Sequence, residues 1–272
     1  MTADRTALCR FSLNQATTQH WPLPEAVAGC VAAGVPGIGL WREPVAEYGL
    51  TRTADLVHDA GLAVTTLCRG GFFNTKDWRD DNLRAIEEAA TLGAPVLVLV
   101  SGGLPEGSKD LDGARARVAD AIAELAPHAD AAGVTLAIEP LHPMFSADRC
   151  VISTLGQALD IAERFDPGVV GVVVDAYHVW WDDTVYAQIA RAGEWIASFQ
   201  ICDWITPLPE GVLLGRALPG EGCIELRRLR EAVDAAGYTG PIEVEVFNAE
   251  VWARPGDQVL AASIDGYLRE VA

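Results

Sequence analysis

Polar residues end four apolar stretches of this sequence, and their side chains are of a kind that binds metal ions. Glu139 follows TLAI, Asp175 follows VGVVV, Gln200 lies within SFQI, and Glu245 closes IEVE. Hard divalent ions such as Mg²⁺ and Mn²⁺ prefer oxygen donors of this type. Acids gathered at one place also repel one another unless a cation neutralises them. If these stretches end side by side, the residue types predict one divalent metal ion, with Mn²⁺ or Mg²⁺ preferred.

The last of these stretches offers two acids rather than one. Glu243 and Glu245 lie two residues apart, so their side chains point to the same side of a regular strand. We expect Glu245, which is nearer the strand end, to reach the site. Glu243 then lies deeper and requires a partner, unless the strand is irregular there.

Short apolar runs alternate with amphipathic, alanine-rich segments along the whole sequence. Several runs are apolar throughout, as strands that are buried on both faces should be. The predicted strands are Ala7–Leu13, Gly37–Trp41, Leu62–Cys68, Pro95–Val100, Val134–Ile138, Val169–Val174, Trp195–Ile201 and Ile242–Phe247. The predicted helices are Pro24–Ala33, Leu50–Ala60, Trp78–Leu92, Leu111–Ala132, Leu155–Phe165, Val185–Ala192, Leu226–Ala236 and one that begins at about Gln258.

Eight strands that are each followed by a helix predict an α/β fold, a single (β/α)₈ TIM barrel. The alternative, an open doubly wound sheet, should carry a glycine-rich phosphate loop after its first strand. The five residues after Leu13 read NQATT, without such a loop. Active sites of barrels lie where the strands end, so we expect the polar strand ends to meet at one rim.

Length and composition limit the classes of protein that this chain can belong to. With 272 residues, half of them apolar, it suits one domain spanning residues 1–272. A net charge of −18 argues against binding to nucleic acid or to anionic membranes, because both depend on basic side chains. The six irregularly spaced cysteines do not indicate a disulfide framework. Met1–Gln15 lacks an apolar signal segment and no apolar run is long enough to span a membrane, so we expect a cytoplasmic protein.

Five motifs, met in order along the chain, make it resemble the xylose-isomerase-like TIM-barrel superfamily of sugar phosphate isomerases and epimerases. They are Glu139–His142 (EPLH), Asp175–His178 (DAYH), Gln200–Asp203 (QICD), Arg216–Gly222 (RALPGEG) and Glu245–Asn248 (EVFN). The resemblance covers essentially the whole chain. It implies that the metal is held by Glu139, Asp175, Gln200 and Glu245.

Gln200 departs from the family pattern, because most members carry a histidine at this position. An amide oxygen is a neutral oxygen donor, which should weaken Zn²⁺ relative to Mg²⁺ or Mn²⁺. Some dehydroshikimate dehydratases of the superfamily look similar in carrying glutamine here, and they share the PGEG and E-x-F-N motifs. This similarity keeps a lyase function open.

The resemblance also implies roles for two residues beside the metal. His178 would hydrogen-bond the substrate or act as an acid or base. The alternative is a loop histidine shielded by Trp180 and Trp181. Arg216 would hold a substrate oxygen, and its alternative is an ordinary exposed arginine.

Residues near the ends of the second, third and fifth strands are further candidates for binding the substrate. Trp41, Arg69 and Phe73 either pack on a sugar face or cap the barrel. His142 is the fourth candidate, although the direction of its side chain cannot be predicted because prolines lie on either side of it.

The predicted reaction is the isomerisation or epimerisation of a keto-sugar or a sugar phosphate. The metal acts as a Lewis acid. Glu139 and Glu245 flank the substrate, one removing a proton and the other returning it, through a metal-bound enediolate. The alternative is a metal-dependent lyase, in which the same enolate loses a leaving group and His178 is the base. Dehydroshikimate dehydration and the cleavage of 3-keto-glycosides both fit that alternative.

Other expectations concern partners. Apurinic endonucleases resemble this barrel but bind three zinc ions through many histidines, whereas this chain has five histidines and a large negative charge. We therefore expect neither a nucleic-acid nor a membrane partner. A non-catalytic sugar-binding subunit is disfavoured, because every proposed ligand is present. The tryptophans that look exposed are compatible with a homo-oligomer, and they are Trp180, Trp181, Trp204 and Trp252.

Overall fold

Eight of the apolar stretches form parallel strands that pair edge to edge around a complete circle. The computed structural model describes residues 7–209 and 211–272. Its strands are β1 (Phe11–Asn14), β2 (Gly37–Trp41), β3 (Ala63–Gly71), β4 (Val96–Val100), β5 (Thr135–Ile138), β6 (Val170–Asp175), β7 (Ile196–Ile201), β8 (Asp203–Trp204), β9 (Arg216–Ala217) and β10 (Ile242–Val244). All but β8 and β9, which pair with each other, form a closed barrel in the order β1-β10-β7-β6-β5-β4-β3-β2. The predicted (β/α)₈ TIM barrel is confirmed.

Helices follow the barrel strands. They are α1 (Leu23–Ala33), α2 (Arg42–Tyr48), α3 (Leu50–Asp59), α4 (Trp78–Leu92), α5 (Leu111–Ala132), α6 (Leu155–Ala162), α7 (Ala176–Val179), α8 (Val185–Ala192), α9 (Leu226–Ala235), α10 (Ala249–Trp252) and α11 (Gly256–Glu270). The bounds of α4, α5 and α8 agree with those predicted. Gly93 and Gly133 end α4 and α5 in the left-handed conformation, which glycine adopts without a steric penalty.

The eighth barrel strand is shorter than predicted, and this places a candidate ligand outside the sheet. β10 ends at Val244 rather than Phe247. The Val246 N–H donates to Thr17 Oγ1 at 3.0 Å, and the Thr17 hydroxyl donates to the Val244 carbonyl at 2.9 Å. A side chain therefore satisfies backbone groups that a longer strand would have paired, and Glu245 lies just beyond the strand.

Other differences from the prediction involve short elements. β1 begins at Phe11 because its N–H donates to the Leu8 carbonyl in a turn, at 3.0 Å. The short helices α2, α7 and α10 were not expected, because so few residues do not show a helical period. Side chains of Asp175 and Asn248 cap α7 and α10, directly after the strands of the site.

Apolar side chains occupy part of the barrel interior and fill the layer between strands and helices. Cys68, Val98 and Val173 belong to a small cluster of residues from barrel strands, and a much larger cluster joins the strands to the helices. All six cysteines are free thiols. Within the described ranges, no helix is both long and apolar enough to cross a membrane. Trp204 is only 7% exposed, so its predicted exposure is wrong: its ring packs on Tyr177, 4.7 Å between centroids.

Candidate active site

The carboxyl ends of β5, β6, β7 and β10 bring four side chains to one rim. Glu139 follows β5, Asp175 ends β6, Gln200 lies in β7, and Glu245 follows β10. Asp175 is directly opposite Gln200 in the ladder that joins β6 to β7. All four side chains are buried. The residues that the sequence pattern selected from separate strands are therefore neighbours.

Groups able to bind a metal form two clusters at this rim. One contains Glu139, Asp175 and His178, and the other contains Cys68, Glu243 and Glu245. Within each cluster the possible ligand atoms lie within 4.8 Å of one another. Burial and the surrounding carboxylates raise the pKa of the Cys68 thiol well above its usual value, which leaves the oxygens as the better donors.

Arg216 joins the two clusters. Its Nη1 donates to Asp175 Oδ2 at 3.0 Å and to Glu245 Oε2 at 2.9 Å. Its guanidinium also packs over the rings of Tyr177 and Phe247, at 4.9 and 5.0 Å. Arg216 is 3% exposed, so it is not the surface arginine that the sequence allowed as an alternative. The buried negative charges thus have a cation that the chain itself supplies.

Glu139 and Glu245 both hold their protons more tightly than ordinary carboxyl groups. Burial, with the nearby charges of Glu245 and Asp175, raises the pKa of Glu139 well above its usual value. Burial also raises the pKa of Glu245 to about 8, although the attraction of Arg216 opposes the shift. Raised pKa values are typical of carboxyl groups that act as acids or bases in active sites.

His178 is buried and neutral. Burial and the neighbouring Arg216 hold the pKa of His178 well below its usual value. The His142 N–H donates to His178 Nδ1 at 3.1 Å, and His178 Nε2 lies 3.0 Å from Arg216 Nη2. Nε2 is therefore the ring nitrogen that faces Arg216 and the carboxylates.

Glu243 has the partners that its depth in the barrel requires. Its carboxylate accepts from Asn14 Nδ2 and Thr65 Oγ1, both at 2.7 Å, from Thr66 Oγ1 at 2.9 Å, and from Gln200 Nε2 at 3.0 Å. Because the Gln200 amide nitrogen is engaged here, its oxygen is on the opposite side of the amide. The sequence predicted that Glu243 needs a partner but did not identify these donors, because isolated Asn and Thr residues form no recognisable pattern.

The hydrogen bonding of the Gln200 amide oxygen bears on whether these residues could bind a metal ion. Gln200 Oε1 is buried and has no hydrogen-bond partner in the described structure. A buried acceptor without a donor is costly, by about 1–3 kcal/mol. A hard cation among Glu139, Asp175, Gln200 and Glu245 would satisfy this oxygen and neutralise the acids, so the donor set fits such an ion.

The Glu243 carboxylate also influences the position of Trp41, which lines the cavity of the site. Asn14, which donates to Glu243, accepts from Trp41 Nε1 at 2.8 Å through its own oxygen. Gly39 leaves the room for the Glu243 carboxylate, because a Cβ there would lie 2.5 Å from one of its oxygens. Glu243 therefore orients both the Gln200 amide and, through Asn14, the Trp41 ring.

A cavity of about 190 Å³ opens on these groups. Its charged and titratable lining residues are Arg69, Glu139, Arg149, His178, Arg216 and Glu245. Among the other substrate-binding candidates, Trp41 also lines it. Arg149 was not expected, because it lies in the irregular segment between β5 and α6.

Two other candidates lie outside this lining. Phe73 packs edge-on against Trp78, with 5.6 Å between ring centroids. His142 packs between Trp181 and Trp204, with centroids 5.3 Å away on each side. His142 Nδ1 also accepts from the Met144 N–H at 3.3 Å.

A buried aspartate fixes the loop that follows Arg216. Asp203 Oδ2 accepts from the Gly220 N–H and Oδ1 accepts from the Ile224 N–H, both at 2.9 Å. A Cβ at Gly222 would overlap the same carboxylate, which accounts for the second glycine of the PGEG motif. The QICD motif, through Asp203, therefore holds the loop that contains the PGEG motif.

The chain belongs to the xylose isomerase-like TIM barrel family, whose model matches residues 27–271. The sequence resemblance is thus confirmed.

Relatives with assigned activities include a lyase and isomerases. A 3-dehydroshikimate dehydratase from Pseudomonas aeruginosa is 30% identical over 260 residues, which cover 90% of this chain and 38% of the relative. An inosose isomerase from Bacillus subtilis is 26% identical over 199 residues, which cover 70% of this chain and 69% of the relative. The chain thus spans well under half the length of the dehydratase.

Solved structures share the same architecture. Protein SMc04130 from Sinorhizobium meliloti 1021 is 48% identical with a TM-score of 0.93, over 96% of this chain and 98% of that protein. The IolI protein, whose crystal structure contains a bound zinc atom, is 22% identical with a TM-score of 0.81, over 96% of this chain and 98% of that protein. At that identity, the IolI structure supports the fold alone.

Proposed function

We propose that this protein is a divalent-metal-dependent isomerase or epimerase of a small hydroxylated ketone. The observation that carries the proposal is the pair of buried carboxyl groups, Glu139 and Glu245, that face one cavity. Isomerisation next to a carbonyl needs one group that removes a proton and one that returns it. Two carboxyl groups on the same cavity can divide these two roles between them.

The proposed metal ligands are Glu139, Asp175, Gln200 and Glu245. The unpartnered Gln200 oxygen and the surrounding carboxylates support this set. A divalent ion bound there would polarise the substrate carbonyl and stabilise the negative charge that develops on its oxygen. The zinc atom in the IolI neighbour is compatible with a metal in this type of barrel, and the oxygen donors of this chain favour Mn²⁺ or Mg²⁺.

Other residues of the cavity orient the substrate in this proposal. His178 presents Nε2, and Arg216 presents a guanidinium, on the side where Glu245 lies. The guanidinium is a donor, so it suits the oxygen atoms of a substrate. Trp41 and Phe247 supply apolar surface beside them.

Replacement of either carboxyl by its amide tests the proposal. We expect Glu139→Gln and Glu245→Gln each to lose at least about a hundredfold in turnover, the usual contribution of a general acid or base. The measurement is deuterium incorporation from D₂O into small hydroxylated ketones, both neutral and anionic, by the Mn²⁺-loaded protein. The control is Glu106→Gln, an exposed loop residue. If either variant keeps a near-normal rate, the two-carboxyl scheme is wrong.

A lyase is the second candidate, and Gln200 together with the dehydratase relative favours it. The same proton is removed, but a β-hydroxyl then leaves as water and no proton returns to carbon. His178 is the proposed base in that case. Formation of a dehydrated product from 3-dehydroshikimate, without deuterium in recovered substrate, would favour the lyase. Exchange without dehydration would favour the isomerase.

A further inference from the structure

Two arginines face the cavity without an acidic partner. Arg69 and Arg149 both line it and both are half-buried. Neither side chain forms an ion pair or a hydrogen bond with any residue in the described ranges. Other half-buried arginines do: Arg10 pairs with Asp234 at 2.7 Å, and Arg42 pairs with Asp81 at 2.9 Å. In a chain with a net charge of −18, two unpaired cations in one cavity stand out.

The Arg69 guanidinium has aromatic neighbours but no hydrogen-bond acceptor among the described residues. Its guanidinium lies over the Phe72 ring at 4.3 Å and near the Trp41 ring at 5.8 Å. Burial lowers the pKa of Arg69; the attraction of Glu43 opposes this, and the charge of Arg149 adds to it. Two like charges brought together in a partly dry cavity indicate that an anion completes the arrangement.

Both arginines stand on well-fixed backbone. Arg69 is part of β3. The Arg149 N–H donates to the Phe145 carbonyl at 2.9 Å, and its neighbour Cys150 pairs with Gly102 in a parallel bridge. The backbone at both positions is therefore fixed by the fold.

The rest of the lining provides little for a neutral sugar. Among the residues that line the cavity there is no Asn, Gln, Ser or Thr. The lining consists instead of charged or titratable groups and apolar side chains such as Val98, Leu141 and Leu213. With two unpaired arginines in its lining, this cavity suits a compact molecule with one negatively charged end.

We propose that Arg69 and Arg149 bind the anionic group of the substrate, a carboxylate or a phosphate, while the carbonyl end lies at Glu139 and Glu245. The substrate is thus a small hydroxylated keto acid or keto phosphate. Arginine is suited to this role because its planar donors match both anions. The proposal rests on the proposed function only in taking this cavity as the place where the substrate binds.

A pair of probes that differ in a single charge tests the proposal. Shikimate and its methyl ester share one hydroxylated ring, but the ester lacks the negative charge. Titration calorimetry with the Mn²⁺-loaded protein should show binding of shikimate at least about tenfold tighter than of its ester, as expected for charge-assisted bonds to arginine. Inorganic phosphate is the third probe, and whether it or shikimate binds more tightly distinguishes a phosphate from a carboxylate substrate.

Arg69→Met and Arg149→Met remove the charge and keep the length of the side chain. Each should weaken shikimate binding by about tenfold or more and leave binding of the ester unchanged. Arg52→Met is the matched control, because Arg52 lies over Tyr48 at 4.4 Å and not in the cavity lining. Mn²⁺ affinity should be unchanged or slightly higher in both cavity variants, since a nearby positive charge is lost.

Three results would overturn the anion site: equal binding of shikimate and its ester, binding of neither shikimate nor phosphate, or unchanged binding in both cavity variants. None of these results bears on the metal. Failure of the wild-type protein to bind Mn²⁺ would instead count against the proposed function, and the comparison of shikimate with its ester would still decide the anion site.

Discussion

Glu243 is a buried carboxylate that bonds to neutral donors, and its effect on the site passes through other side chains. It engages the nitrogen end of the Gln200 amide and leaves the oxygen end without a partner in the described structure. Residues of this kind orient metal ligands, and their loss commonly lowers metal affinity by about 10- to 100-fold. Glu243 is therefore a positioning residue and not one of the proposed ligands.

Glu243→Gln should weaken Mn²⁺ binding by about 10- to 100-fold, because an amide in this place no longer fixes which end of Gln200 faces the metal. Titration calorimetry of the metal-free protein measures this. Thr66→Val is the control: Thr66 also donates to Glu243, at 2.9 Å, but does not contact Gln200. Equal losses in the two variants would mean that the network acts only through general stability.

The candidate ligands could be predicted from sequence because each one ends an apolar strand, a position that the barrel turns into a shared rim. Asn14, Thr65 and Thr66 could not, since their role depends on strands that lie far apart in the chain. Arg149 could not be predicted as a cavity residue for a different reason: it lies in a segment without periodicity.

At the level of secondary-structure elements, the loop after β9 depends on a residue of β8. Asp203, at the start of β8, accepts backbone N–H groups from Gly220 and Ile224 and so fixes the turn that follows Arg216. Asp203 is 1% exposed, and water cannot replace it there. The position of the Arg216 backbone thus depends on an aspartate thirteen residues earlier in sequence, joined to it by the pairing of β8 with β9.

Asp203→Asn should lower the free energy of unfolding by about 1–3 kcal/mol, because an amide accepts through one oxygen and leaves a buried N–H without a partner. Chemical denaturation measures the change. Asp130→Asn, at an exposed position of α5, is the control and should change stability by less than about 0.5 kcal/mol. A null result at Asp203 would show that the loop is held by other contacts.

Long elements were predictable and short ones were not. The helical period fixes α4, α5 and α8, because it persists over several turns between end signals. α7 and α10 contain four residues each and form because Asp175 and Asn248 cap them after the strands have been placed. The early end of β10 also depends on another part of the chain, because Thr17, which follows the neighbouring strand β1, bonds to its backbone.

At the scale of the whole molecule, the barrel gathers buried charges that are costly to keep apart from water. The two carboxylates of Asp175 and Glu245 share the guanidinium of Arg216, at 3.0 and 2.9 Å. Removing one member of such a buried group typically costs about 3–5 kcal/mol, because the others are left without compensation. The stability of the barrel and the charge balance of the site are therefore linked.

Arg216→Met should make folding depend on a metal ion. In EDTA we expect a loss of about 3–5 kcal/mol in the free energy of unfolding, and added Mn²⁺ should restore much of it by neutralising the same carboxylates. Arg228→Met is the control, since Arg228 pairs with Glu225 at an exposed position. If Mn²⁺ stabilises the wild type and the Arg216 variant equally, the arginine and the ion do not compensate the same charges.

The guanidinium that lies between Asp175 and Glu245 has a consequence for how the protein matures. Many small metalloproteins reach their native form only when an ion arrives, since nothing else holds their acidic side chains together. Here the polypeptide supplies its own counter-charge to both carboxylates, so the barrel does not need an ion to neutralise them while it folds.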